Sequence, residues 1–165
     1  MTVKRAYLSL GSNLGERDEN LERALALLER EQIHVVARSS VYETEPQDIT
    51  AQPWFLNMAV VCETRLFPLQ LLTAALRIER EMGRLRRLPR GPRLIDIDIL
   101  LVGNAVIDTP RLTLPHPRML ERRFVLEPLL EIAPELLHPV SKRPLRDYLS
   151  HVKAQKLRIT RPLSH

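Results

Sequence analysis

The sequence predicts an α+β fold, a mainly antiparallel sheet with helices on both faces. Three observations carry this. Several short segments alternate apolar and polar residues, the period of a half-buried strand. Two longer segments repeat their apolar residues at helical spacing. Gly- and Pro-bearing turns separate these segments and leave them in the order β-α-β-β-α-β.

Each element has its own warrant. Arg5 to Leu10 alternates and stops at Gly11, which predicts a strand, and Gly11 to Gly15 reads as a turn. Leu21, Ala24, Leu25 and Leu28 then recur on one helical face, predicting a helix from about Arg17 to Glu31. Ile33 to Tyr42 is rich in β-branched residues and predicts a second strand. Thr44 to Pro53 is a loop holding Pro46 and Pro53, and Phe55 to Thr64 is a third strand. Pro68 suits a helix start, where its missing N–H costs little, and Leu71, Ala75, Ile78 and Met82 line one face of the helix that follows. Gly83 ends it. Arg84 to Arg93 is a loop, and Leu94 to Val102 a strong strand. Gly103-Asn104 signals a hairpin into a short strand, Ala105 to Ile107. Beyond Pro115 the chain is helical and proline-punctuated, with Val125, Leu129 and Ile132 as its apolar stripe. The last dozen residues are basic with little periodicity. The order is the ferredoxin-like one, and that fold hosts many activities, so function has to be read from the site.

The chain of 165 residues favours one domain spanning 1–165, with a basic C-terminal tail from about residue 152. With 44% hydrophobic residues it is not a disordered protein. No apolar run reaches the ~20 residues of a membrane helix, and the N-terminus lacks a secretion signal. Cys62 is the lone cysteine and has no partner for an internal disulfide, which fits a reducing cytoplasm. A net charge of +5 suits an anionic partner, nucleic acid or nucleotide phosphate. Aromatic residues make up only 4%, thin for stacking many bases.

Asp96 and Asp98 are the sharpest feature. On a strand they share one face while Ile95, Ile97 and Ile99 share the other. Their Cα atoms stand ~6.5–7 Å apart from the strand rise. Two carboxylates so placed repel unless a cation lies between them, and hard oxygen ligands suit magnesium carrying phosphate. The plain alternative is a pair of solvated aspartates on an edge strand. Aspartate disfavours strands, however, and two here interrupt a very apolar segment. Just before them stand Arg84, Arg86, Arg87, Arg90 and Arg93 with no acid among them. Guanidinium forks suit phosphate oxygens, whereas the plain alternative is a solvated or RNA-facing basic loop. Gly83, Pro89, Gly91 and Pro92 bracket this loop as hinges of a lid.

Five stretches carry a resemblance: Tyr7 to Gly15, Ser39 to Pro46, Gln52 to Asn57, Gly91 to Leu100 and Leu114 to Pro117. The chain resembles the 6-hydroxymethyl-7,8-dihydropterin pyrophosphokinases, early enzymes of folate biosynthesis, from about Tyr7 to Pro139. That resemblance implies transfer of a diphosphate from ATP to the pterin alcohol, with release of AMP and two Mg²⁺ ions on Asp96 and Asp98. It implies that Arg84 and Arg93 contact the phosphates during transfer. It places Arg86, Arg87, Glu79, Ile99, Arg111, Thr113, His116 and Arg122 around ATP. It places Thr44, Phe55, Asn57, Arg93 and Phe124 at the pterin. Many members carry Arg-Trp before the Gly-Pro-Arg block, where this chain has Pro89-Arg90. Arg90 offers a guanidinium for stacking there. Small-molecule substrates, a monomer and no nucleic-acid or membrane partner are expected. Two rival readings use the same residues: an RNA-binding ferredoxin-like module, and a nucleotide-binding regulatory domain without catalysis.

Overall fold

The computed structural model describes residues 2–46, 51–83 and 93–161. Strand β1 (Lys4–Ser12) leads into helix α1 (Arg17–Arg30), then β2 (Ile33–Arg38), β3 (Val41–Thr44) and β4 (Phe55–Thr64). Helix α2 (Pro68–Glu81) and β5 (Asp96–Val102) follow, then a two-residue ladder of β6 (Ile107–Asp108) and β7 (Thr113–Leu114). Helix α3 (Arg123–Ile132) and β8 (Leu157–Arg161) complete the described elements, with 3-10 turns at Met119–Glu121 and Leu145–Val152.

The main sheet runs β5-β1-β4-β3-β8, and β2 also pairs with β4. Every pairing is antiparallel. This is the expected α+β, ferredoxin-like arrangement. Alternation along the strands splits the core in two. Ala6, Leu8 and Leu10 of β1 join Met58, Val60 and Cys62 of β4 against α1 and α2. Tyr7, Ala59 and Val61 face the other way, against Val125, Leu126 and Leu129 of α3. The stripes read for the first two helices are buried as expected, and of the third Val125 and Leu129 are buried while Ile132 is half-buried. Pro68 opens α2, where Phe67 N–H donates to Gln70 Oε1 at 2.8 Å, and Gly83 follows its end with φ +90°. Glycine adopts that left-handed conformation without the Cβ clash that other residues meet.

Three local expectations are corrected. Ile33 to Tyr42 is two strands, because Ser39 and Ser40 leave the ladder. Ser40 N and Oγ donate to Glu131 of α3 at 2.9 and 2.5 Å, and Ser39 Oγ receives Ala59 N–H at 2.8 Å. Gly103-Asn104 does turn the chain, but the short strand after it starts at Ile107 and pairs with β7 rather than folding back on β5. The basic C-terminal segment is not featureless. Its residues 157–161 form β8 by pairing with β3, so a tertiary edge supplies what its own pattern lacks.

Candidate active site

The site is the uncovered end of one sheet face. Helix α3 covers Tyr7, Ala59 and Val61 but stops short of the far ends of the same strands. There Ser9 and Gly11 of β1 lie opposite Asp98 and Asp96 of β5, and Gly11 lies opposite Asn57 of β4. A cavity of about 530 Å³ opens over these residues. Thr44, Phe55, Asn57, Phe124, Arg93 and the Asp pair all line it. A second cavity of about 230 Å³ adjoins it across Asp98 and His116 and takes in Ile99, Arg111 and Thr113. The larger cavity thus gathers the pterin-side candidates together with Glu79, His116 and Arg122 of the nucleotide side, and the smaller holds Ile99, Arg111 and Thr113 and shares Asp98 and His116 with it.

Asn57 is buried, and its Nδ2 donates to Thr44 Oγ1 at 2.5 Å, fixing which edge of the amide faces Gly11. Phe55 and Phe124 are only half-buried, so both rings are open to the cavity. Arg93 is locked by its backbone: its N–H donates to Asn13 Oδ1 at 2.7 Å, and its carbonyl accepts Asn13 N–H at 3.0 Å. Its guanidinium reaches Asp96 at 3.0 Å. On the other side Arg122 stands 3.8 Å from Asp98 and lies over the Phe124 ring.

Electrostatics mark the same spot. Burial in the cleft floor, then the neighbouring Asp96 charge, push the Asp98 carboxyl up to about 7, although Arg122 pulls the other way. A carboxylate pair held at that cost fits a cation, the test that hard oxygen donors facing a cavity pass. Among the described residues no group of three His, Cys, Asp or Glu gathers for a metal. Burial, with Arg122 nearby, pulls the His116 imidazole down to about 4. It is therefore neutral near pH 7. Its Nδ1 accepts Arg118 N–H at 3.1 Å, which leaves the proton on Nε2 as a donor.

Glu79 is buried at 2% exposure and lines the larger cavity. Its Oε2 accepts the N–H of Ile97, on the open edge of β5 between the two aspartates, at 2.8 Å. Arg84, Arg86, Arg87 and Arg90 lie outside the described residues, as do the expected hinges Pro89, Gly91 and Pro92. Ser9, Gly11, Leu72 and Leu76 line the cavity without having been singled out from the sequence. The sequence reads Gly11 as the start of a turn, whereas β1 runs on to Ser12 because it pairs there with β4 and β5, and Leu72 and Leu76 lie off the apolar stripe read for the second helix.

The model of the 7,8-dihydro-6-hydroxymethylpterin-pyrophosphokinase family matches residues 7–134. The chain belongs to that family. It is 48% identical over 132 residues to the 2-amino-4-hydroxy-6-hydroxymethyldihydropteridine pyrophosphokinase of Bacillus subtilis, covering 79% of each. It is also 45% identical over 157 residues to the folic acid synthesis protein fol1 of Schizosaccharomyces pombe, with 94% of this chain covered. The chain spans only 21% of that relative's length. A solved HPPK-DHPS chain of Plasmodium falciparum superposes with a TM-score of 0.75 over 90% of this chain and 45% of its own, at 19% identity. At that identity the likeness concerns the fold. Among the described residues no helix of this pyrophosphokinase-family chain is long and apolar enough to cross a membrane.

Proposed function

We propose that this chain transfers a diphosphate from ATP to the hydroxymethyl group of 6-hydroxymethyl-7,8-dihydropterin, giving AMP and the pterin diphosphate, its family's reaction in folate synthesis. One observation supports the reading above the rest: Asp98, whose partner Asp96 lines the larger cavity beside it, is shared by two adjoining cavities of different chemistry. The larger offers two open aromatic rings and a fixed amide, suited to a flat heterocycle with a hydrogen-bonding edge. The smaller offers Ile99, Thr113 and Arg111, suited to a nucleoside.

In this reading Asp96 and Asp98 hold two Mg²⁺ ions, which when bound neutralise phosphate charge and let both carboxylates stay ionised. Arg93 and Arg122 flank the junction from opposite sides and donate to phosphate oxygens, joined by Arg84, Arg86 and Arg87. His116 presents its Nε2 proton to the same anion. Phe55, Phe124, Asn57 and Thr44 hold the pterin so that its hydroxymethyl oxygen points at the junction. Glu79 keeps the Asp-bearing strand edge in register rather than facing the nucleotide alone. No general base is required, since a loose transition state gains most from placement and charge. The reading takes the enzyme as a cytoplasmic monomer, with the lone thiol of Cys62 suited to a reducing compartment.

The test is direct. The protein is incubated with ATP, Mg²⁺ and the hydroxymethyl-dihydropterin, and products are separated chromatographically. AMP and the pterin diphosphate in equal amounts are expected, with turnover arrested by EDTA. ADP as the product, or no pterin-dependent consumption of ATP, refutes it.

A further inference from the structure

Helix α3 begins in an unusual way. The position that caps a helix N-terminus is commonly Ser, Thr, Asp or Asn, whose short side chain turns back onto the first free N–H groups. Here it is Arg122, with extended backbone and no side-chain cap. Its side chain is committed elsewhere, toward Asp98 and the Phe124 ring. The missing acceptor comes from a residue far along the chain. Arg123 N–H donates to Gln155 Oε1 at 2.8 Å, and Gln155 Nε2 donates to the carbonyl of Glu121, also at 2.8 Å. One amide therefore grips the backbone on both sides of Arg122.

The strand of chain around Gln155 is itself anchored. The Arg123 guanidinium donates to the carbonyls of Lys153 and Gln155 at 3.1 and 2.8 Å. Leu157 pairs with Thr44, at the end of β3 that reaches the cleft. Residues 153–157 thus run from the start of α3 to the end of β3, and they lie beyond the segment 7–134 that the family model matches.

We propose that Gln155 is a positioning residue for Arg122: it serves as the helix cap in place of Arg122, leaving that guanidinium aimed at the acidic pair and the phosphates. The proposal rests on the functional reading above for its kinetic consequence, but not for its geometry.

The experiment compares wild type, Gln155→Ala, Arg122→Ala and the double variant, with Gln155→Glu as a near-isosteric variant that keeps the acceptor and loses the donor. Loss of the two grips lowers kcat/KM for ATP by about 3- to 10-fold in Gln155→Ala, and by less in Gln155→Glu. In the Arg122→Ala background Gln155→Ala changes it by less than about twofold, because the group it positions is gone. The second readout needs no activity: the Nε–Hε signal of Arg122 in ¹⁵N spectra of the ligand-free protein, assigned by its loss in Arg122→Ala, shifts or broadens in both Gln155 variants. Independent, multiplicative effects in the cycle overturn the proposal, and so does an unmoved Arg122 signal. Should wild type release no AMP, the functional reading fails and the spectra alone decide the positioning. Should Gln155→Ala not fold, Gln155→Glu carries both measurements.

Discussion

Gly11→Ala tests whether the cleft is shaped by close packing of strand against amide. Gly11 sits on β1 between Asn57 of β4 and Asp96 of β5. A Cβ at Gly11 would stand 2.6 Å from Asn57 Oδ1 and 3.4 Å from the Phe55 ring. Asn57 has little room to yield, since it is 4% exposed and tied to Thr44. Overpacking of this kind costs about 1–3 kcal/mol. For a chain of this length that lowers Tm by roughly 2–12 °C. If the displaced amide also loses two hydrogen bonds to the pterin edge, each worth about 0.5–1.5 kcal/mol, the pterin KM rises about 5- to 150-fold. The ATP KM moves far less, because Ile99, Arg111 and Thr113 lie in the other cavity. The assay is initial rate against pterin at saturating ATP, beside a thermal melt. Gly103→Ala is the control: a Cβ there meets nothing within 4 Å, so only its φ of +53° is strained and substrate constants stay put. A Gly11→Ala protein with Tm and pterin KM both within error of wild type refutes the packing argument.

Three further expectations concern the carboxylates, the arginine beside them and the thiol. Asp98→Asn or Asp98→Ala lowers turnover by ~10²-fold or more, the scale of losing a key electrostatic stabiliser. In EDTA the same Asp98→Asn protein melts higher than wild type at pH 7.5. The folded-state pKa is raised, so the penalty is absent below the ordinary carboxylate range and grows as pH rises through about 4 to about 7. A cost of about 2 kcal/mol, roughly half of what three pKa units represent, gives ~4–8 °C, and the gap closes toward pH 4. Equal melting across that range removes the electrostatic strain from the account. Arg93→Ala folds normally, since Asn13 binds its backbone, and slows the chemical step roughly 10²-fold in single-turnover kinetics. An unchanged step excludes it from the reaction. Burial pushes the Cys62 thiol up to about 12, so it resists a thiol reagent at pH 8 until denaturant is added. Prompt labelling of the native protein contradicts the packed core around it.

Much of this was legible in the sequence because single-strand periods carry it. Asp96 and Asp98 declare a shared face by spacing alone, and Pro68 and Gly83 bracket α2 by backbone chemistry. What stayed hidden depends on a partner distant in sequence. The β-branched run breaks at Ser39 and Ser40 because Ser40 donates to Glu131, on a helix yet to come, and Ser39 Oγ accepts Ala59 N–H across the sheet. The strand Leu157–Arg161 has two β-branched residues, Ile159 and Thr160, but is too short to declare itself without the β3 edge that it pairs with. Glu79 did carry a signal. It follows Leu71 and Ala75 at intervals of four, an acid within an apolar stripe, and such a residue is buried only where it has a partner.

That partner explains how the site tolerates its own charge. Asp96 and Asp98 share one face of β5 and Glu79 meets its edge, and the protein answers these charges with hydrogen bonds and guanidinium groups. Glu79 holds the strand through Ile97 N–H, so the two aspartates do not spread apart to relieve their repulsion. Arg93 and Arg122 offset part of the charge, yet both are the groups that a phosphate chain would draw away. Binding of an anionic nucleotide therefore exposes the acidic pair to whatever cation accompanies it. If Arg93 and Arg122 are lent to phosphate as proposed, metal and nucleotide bind together better than either alone. Measured separately and jointly by calorimetry, Mg²⁺ and a non-hydrolysable ATP analogue are expected to bind with positive coupling, at least fivefold in affinity, the lower end of ordinary site-to-site coupling. Affinities that multiply without interaction would show that the arginines do not perform both tasks.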